Sequence, residues 1–149
     1  MTTPVPVSPF AGPAPAHRLE RAATALTAHG FAVEILDDAA AARARVRDLI
    51  PEGASVFTGA SETASATGSQ LPSYAGGAGH RIWIAGAQKV VPDLPAALRR
   101  VEEHSLPLET ARARVAYGKP SAINRLLILN AEPDPGQGTV LLLRQAIGF

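Results

Sequence analysis

Two short polar stretches in this chain have the residue types needed to grip a small anion: "GASET" (Gly59–Thr63) and "GAQK" (Gly86–Lys89). Each follows an apolar, β-rich run and opens on a glycine, so each can bring backbone N–H groups close to a ligand. Glu62 is the only acidic residue between Thr58 and His80. Set among hydroxyls, it could act as a general base or as a ligand to a substrate hydroxyl. It could equally cap a helix that begins there. Lys89 could neutralise a carboxylate or phosphate, or be a surface lysine with no task. Thr67, Gly68, Ser69 and Gln70 could present hydroxyl and backbone N–H donors to an anion, or form only a tight turn.

The familiar phosphate and nucleophile motifs fail. Gly118-Lys119 is followed by Pro120 where a P-loop needs Ser or Thr, and Ala113 stands at its first glycine. Gly77-Ala78-Gly79 lacks the third dinucleotide-binding glycine, since position 82 is Ile, and it precedes a strand instead of following one. Gly59-Ala60-Ser61 has Thr63 where a nucleophile elbow needs glycine. His17, His29, His80 and His104 fall near predicted helix ends or in loops, where His29 and His104 can complement helix C-termini. No pair of them has metal-ligand spacing on one helix face, so no metal site is expected. Arg99, Arg100, Arg112 and Arg114 fit solvated helix faces.

The totals narrow the classes. A chain of 149 residues suits one domain, and 46% hydrophobic with 18% charged residues is a globular balance. A net charge of +1 and 5% aromatic residues argue against a nucleic-acid surface. The chain has no cysteine, which excludes disulfides, thiolate catalysis and an iron–sulfur cluster held by its own thiolates. No apolar run approaches the roughly 18 residues needed to cross a bilayer. The start "MTTPVPVSPFAGPAPA" has no basic segment and no continuous apolar block, so it does not read as a signal peptide. Five prolines in the first 15 residues predict a flexible arm over residues 1–16, ahead of a single domain over 17–149. A cytoplasmic location is the default expectation.

The elements that must position these residues alternate. "HRLERAATALTAHG" carries an apolar stripe of Leu19, Ala22, Ala23 and Leu26, with Gly30 as the helix stop. "FAVEIL" (Phe31–Leu36) alternates like a strand. Asp37 or Asp38 can cap the next helix, in which Ala42, Val46, Leu49 and Ile50 face inward before Pro51 and Gly53. "ASVFTG" (Ala54–Gly59) and "RIWIAG" (Arg81–Gly86) read as strands. "PDLPAALRRVEEH" reads as a helix capped by Asp93, with Leu94, Ala97, Leu98 and Val101 inward, and "LPLETARARVAYG" as another closed by Gly118. "NRLLILN" and "TVLLLR" read as two final strands joined by "AEPDPGQG", adding an antiparallel edge. The alternation predicts a mainly parallel α/β sheet with helices on both faces. In such sheets ligands bind beyond the carboxyl ends of the strands, which nominates "GASET" and "GAQK" as opposite walls of one site.

The segments "GASVFTGASET", "ASATGSQLPSYAGGAGHRIWIAGAQKVVPDLPAALRRVEEHSLPLE" and the ending "AIGF" resemble the lactate-utilisation (LUD) domain family, LutC/YkgG type. The resemblance runs from about His17 onward. It implies a three-layer α/β/α fold with a mainly parallel central sheet, NagB/RpiA/CoA-transferase-like, in the group that includes the formyltetrahydrofolate cyclo-ligases. By analogy with ligand loops in that group, the expected site is Gly59, Ser61, Glu62, Thr67, Gly68, Ser69 and Gln70, with Lys89 across from them and Glu62 and Lys89 in catalytic roles. The implied function is a cluster-free accessory or substrate-handling component of an iron–sulfur L-lactate oxidation system. Its iron–sulfur clusters would lie in partner proteins, and this chain would bind no cofactor of its own. A stand-alone nucleotide-, CoA- or sugar-phosphate-binding enzyme of cyclo-ligase type, or a regulatory module sensing a hydroxy acid, are the alternatives. The expected ligand is a small anion. No nucleic acid or membrane is expected, and a homo-oligomer is allowed.

One departure stands out. In the family a further helix and more sheet separate the "GASET"-like segment from the "ASATGSQLP"-like one, whereas here Thr63 runs straight into Ala64. A structureless join of this length is uncommon inside a compact domain. The expectation is a break between about Glu62 and Ser65, with several dozen residues absent. Intact-mass measurement of the purified protein is expected to exceed 15.4 kDa, the mass of the 149-residue chain. A mass of 15.4 kDa would overturn the expectation.

Overall fold

The computed structural model describes Phe10, residues 12–53 and residues 80–147. Helix α1 (Ala16–Ala28) carries the predicted stripe: Leu19 is buried, and Ala22, Ala23 and Leu26 pack into the same core. The helix stops where the sequence says it must. Gly30 has φ 95°, a conformation that side chains rarely adopt. Its N–H donates to Thr27 O at 3.2 Å, and the Phe31 N–H reaches back to Leu26 O at 3.1 Å. These two bonds satisfy carbonyls that the helix end would leave orphaned, and they aim the chain into the sheet.

Strand β1 (Ala32–Leu36) leaves that turn and leads to helix α2 (Ala39–Leu49), where Asp38 Oδ1 accepts from Ala41 N at 2.9 Å. Ala42 and Val46 are the buried residues of α2, as its spacing predicts. The predicted strand "ASVFTG" lies outside the described residues. Strand β2 (Arg81–Ala85) is followed by a 3₁₀ turn (Ala87–Lys89) and helix α3 (Leu94–Arg100), whose N-terminus is capped by Asp93 Oδ1 accepting from Ala96 N at 2.8 Å. Helix α4 (Leu106–Tyr117) ends on Gly118 at φ 68°. Strand β3 (Gly138–Leu143) comes last.

The α/β character expected from the sequence is present, among the described residues, as a three-stranded parallel sheet in the order β1-β3-β2. Val33, Val140 and Trp83 lie side by side across it, as do Ile35, Leu142 and Ala85. That face packs with α1 to form the main core. Glu34 and Leu141 alternate to the opposite face, and there Arg45 of α2 reaches Glu34 at 2.6 Å. Entry to β3 is fixed from the other side of the α1–β1 turn. Glu132 N donates to His29 O at 2.9 Å, Gly136 N to Gly30 O at 3.1 Å, and the buried Glu132 carboxylate pairs with Arg81.

Four expectations need correcting. "TVLLLR" is no antiparallel edge. It supplies the central strand, parallel to both neighbours, and all six residues of β3 are buried, as an apolar run covered on both faces should be. "NRLLILN" is not a strand: residues 120–132 carry no regular structure, and Leu127 is 78% exposed. Its residue types favour strands, but propensity acts through a ladder, and this run pairs with none of the described strands. Leu94 shares the face of Ala97, Leu98 and Val101 by spacing, but at the first position of the helix it is 51% exposed. Finally, the helices predicted over 92–104 and 106–118 are not separate. A π-helical turn (Val101–Ser105) joins α3 to α4, with Leu106 N–H donating to Val101 O five residues back. Pro107 has no N–H, and its ring crowds the Glu103 carbonyl, so a widened turn relieves both problems without breaking the helix.

The burial contrast is testable. Leu141→Ala, at a site with 0% exposure, is expected to cost about 2–5 kcal/mol in urea unfolding. Leu127→Ala is expected to change stability by less than about 0.5 kcal/mol. Equal costs would show that residues 124–130 form a buried strand after all.

Candidate functional site

Of the residues nominated from the sequence, Lys89 is the one whose surroundings are visible; Gly59, Ser61, Glu62, Thr67, Gly68, Ser69 and Gln70 lie outside the described residues. Lys89 sits where expected, just past the carboxyl end of β2, at the close of the 3₁₀ turn. That turn is clamped from two sides. Ala14 N, ahead of α1, donates to Ala87 O at 3.0 Å, and Ala87 N donates to Gln145 O at 3.0 Å after β3. Gln88 is buried, with Nε2 donating to Ile147 O at 2.6 Å. Gly86 is required by close approach: a Cβ there would stand 2.6 Å from Ile147 O and 2.7 Å from Ile147 N.

Lys89 faces a cleft of about 580 Å³ on the α1 side of the sheet. Ala85, Val140 and Leu142 make its apolar floor, Val90 to Pro92 and Leu129-Asn130 form its margins, and α1 makes the remaining wall. The residues involved are Arg18, Arg21, Ala22, Ala25 and Leu26 of α1 and His29 at its C-cap. Their spacing of three or four is one stripe of a 3.6-residue helix, rotated slightly from the core stripe so that cations border the apolar face. Among the described residues, two arginines, a lysine and a histidine line the cleft and no carboxylate does. Basic side chains bordering an apolar floor attract a carboxylate or phosphate.

The electrostatics of Lys89 fit that description. Burial, and secondly the charge of Arg100, hold its ammonium pKa below the ordinary lysine value of 10.5. An anion beside it would oppose both effects. Arg100 itself contradicts the sequence reading of a solvated helix face: it is only 8% exposed. Arg112 and Arg114 are exposed as expected.

The sequence reading missed Arg18 and Arg21. A signal for them was present, since both recur at helical spacing along the border of the Leu19–Leu26 stripe. At the opposite, amino end of the sheet, His80 Nε2 lies 2.8 Å from the buried Thr139 Oγ1, and the Arg81–Glu132 pair ties down the loop before β3. These contacts anchor the fold. Among the described residues no group of three or more His, Asp or Glu side chains is placed to hold a metal ion.

Gly86→Ala is expected to lower stability by about 1–3 kcal/mol, because its Cβ must displace the backbone at Ile147. A melting curve identical to that of the natural protein would show that the clamp on the Lys89 turn is loose. No protein family, curated protein or solved structure matches this chain.

Proposed function

We propose that this chain binds a small carboxylate- or phosphate-bearing molecule in the cleft beside α1. In this reading it is the cluster-free, substrate-handling component of an iron–sulfur L-lactate oxidation system of LUD type. The observation that carries the binding is the basic lining of the cleft: Arg18, Arg21 and Lys89 border its apolar floor. The LutC-like segments supply the assignment to lactate oxidation. A chain without cysteine leaves electron transfer to partners that carry the clusters. The same resemblance implies the three-layer NagB/RpiA-like fold. Parallel strands, with α1 on one face and α2 reaching Glu34 on the other, support that layering.

The size of the cleft favours a second reading. A volume of about 580 Å³ falls in the range of about 300–1,000 Å³ typical of drug-sized ligands. A three-carbon hydroxy acid would fill little of it. A nucleotide, CoA or sugar phosphate held by the same cations, as in an enzyme of cyclo-ligase type, would fill it better.

Thermal melts with L-lactate, pyruvate, ATP, CoA and ribose 5-phosphate separate the two. A ligand at 100 times its Kd stabilises by about 2.7 kcal/mol, which is readily measured. Stabilisation by L-lactate or pyruvate supports the first reading, and stabilisation by ATP, CoA or the sugar phosphate alone supports the second. No shift across the panel removes both. Lys89→Ala is expected to weaken the bound anion about tenfold, or ~1.4 kcal/mol, with little change in melting temperature. A large drop in melting temperature with unchanged affinity would make Lys89 structural.

Affinity should also depend on pH with a definite sign. Lys89 holds an anion only while charged, and its pKa lies below 10.5 in the folded protein. Affinity therefore falls as pH rises, starting below the range in which an ordinary lysine titrates. Calorimetric titration across that range is expected to show this loss in the natural protein and a flatter profile in Lys89→Ala.

A further inference from the structure

Arg100 is the last residue of α3 and is 8% exposed. Its Nη1 donates to Ser105 Oγ at 2.9 Å, while Nε and Nη2 are buried without a hydrogen-bond partner. Those two atoms are not an arbitrary pair. In a guanidinium, Nε–H and the nearer Nη2–H point the same way, forming the side edge that receives the two oxygens of a carboxylate or phosphate. The edge is fixed in place by the π turn. In an α-helix residues five apart point to different faces, but the wider turn over Val101–Ser105 carries Ser105 round to the same side as Arg100. Ser105 thus holds one side of the guanidinium, and the two-donor edge faces the interior without a hydrogen-bond partner.

The surroundings are positive. Lys89 and His104 both have pKa values pushed down, by burial first and by the charge of Arg100 second. Among the described residues every recorded ion pair involves a cation other than Arg100. Arg99, next in the chain, is turned away toward Glu103 and the Phe10 ring. A buried charge whose two donors have nothing to bond costs far more than an exposed one, and a bound anion would remove that cost.

We infer that the Nε–Nη2 edge of Arg100 is a buried oxyanion-binding site, taking a carboxylate or phosphate group in two parallel hydrogen bonds. This site is distinct from the cleft, which Arg100 does not line, and it stands whether or not the cleft binds anything.

The direct test follows the Arg100 Nε–H resonance by ¹⁵N NMR in the full chain, assigned by its disappearance in Arg100→Lys. Inorganic phosphate and acetate are titrated separately at constant ionic strength. At least one of them is expected to move the resonance saturably, and the stronger responder identifies the oxyanion class. Arg21→Ala, which alters the cleft, is expected to leave this response unchanged. Arg100→Lys keeps a charge but loses the paired edge, and it is expected to weaken binding of that ion about tenfold or more. A resonance that neither ion moves, or that drifts without saturating, overturns the inference. So does a response lost in Arg21→Ala, which would assign the binding to the cleft. The titration of the natural protein decides the matter even where Arg100→Lys does not fold.

Discussion

Strand β3 has to be satisfied on four sides at once. In the plane of the sheet it ladders with β1 on one edge and β2 on the other. Above and below, its side chains need apolar cover, and Leu141 and Leu143 are fully buried on one face while Val140 and Leu142 enter the α1 core on the other. Once a run of valine and leucine takes that central place, the other elements have little freedom. The α1 helix must lie where it covers Val140 and Leu142, and β2 must end beside Leu142. The turn carrying Lys89 therefore falls next to α1. The cleft is a consequence of how the central strand is buried.

The cleft gathers basic residues along its described lining. The amino end of the sheet compensates its charge: Glu132 is buried but paired with Arg81, and its backbone is bonded to the α1–β1 turn. Around Lys89 the balance is different. Arg18, Arg21 and His29 share one groove with it, and Arg100 acts on it electrostatically. Like charges gathered along one groove oppose the compact state. Local conflicts of this kind are the expected mark of a site that serves a ligand.

Much of the scaffold was legible because it depends on local rules. The stripe of α1, the caps at Asp38 and Asp93, and the stops at Gly30 and Gly118 each follow from a residue and its near neighbours. What depends on distant partners was not legible. "NRLLILN" and "TVLLLR" look alike as sequences, yet only the second has strands on both sides, and nothing within either run says which will be chosen. Arg99 and Arg100 are adjacent and chemically identical, yet one is exposed and the other buried. Their fates diverge because the helix rotates about 100° per residue at that point. Lys89 was found by its place after a strand, a topological rule, whereas Arg18 and Arg21 belong to the site through the packing of α1 against that same rim.

The joined α3–α4 helix connects these themes. Pro107 makes a regular α-helix costly at the Glu103 carbonyl, and two answers were open to the chain: break, or widen. Breaking would have freed Ser105 from any fixed relation to Arg100. Widening keeps the backbone helical and gives the two side chains a common direction, so that a hydroxyl holds a buried guanidinium by one edge. A π turn is less favourable than the α-helix it replaces, and a buried, half-bonded arginine is less favourable than an aliphatic side chain of similar volume. Each gives the other its geometry: the wider turn brings the Ser105 hydroxyl to the guanidinium, and the guanidinium is the group that hydroxyl holds.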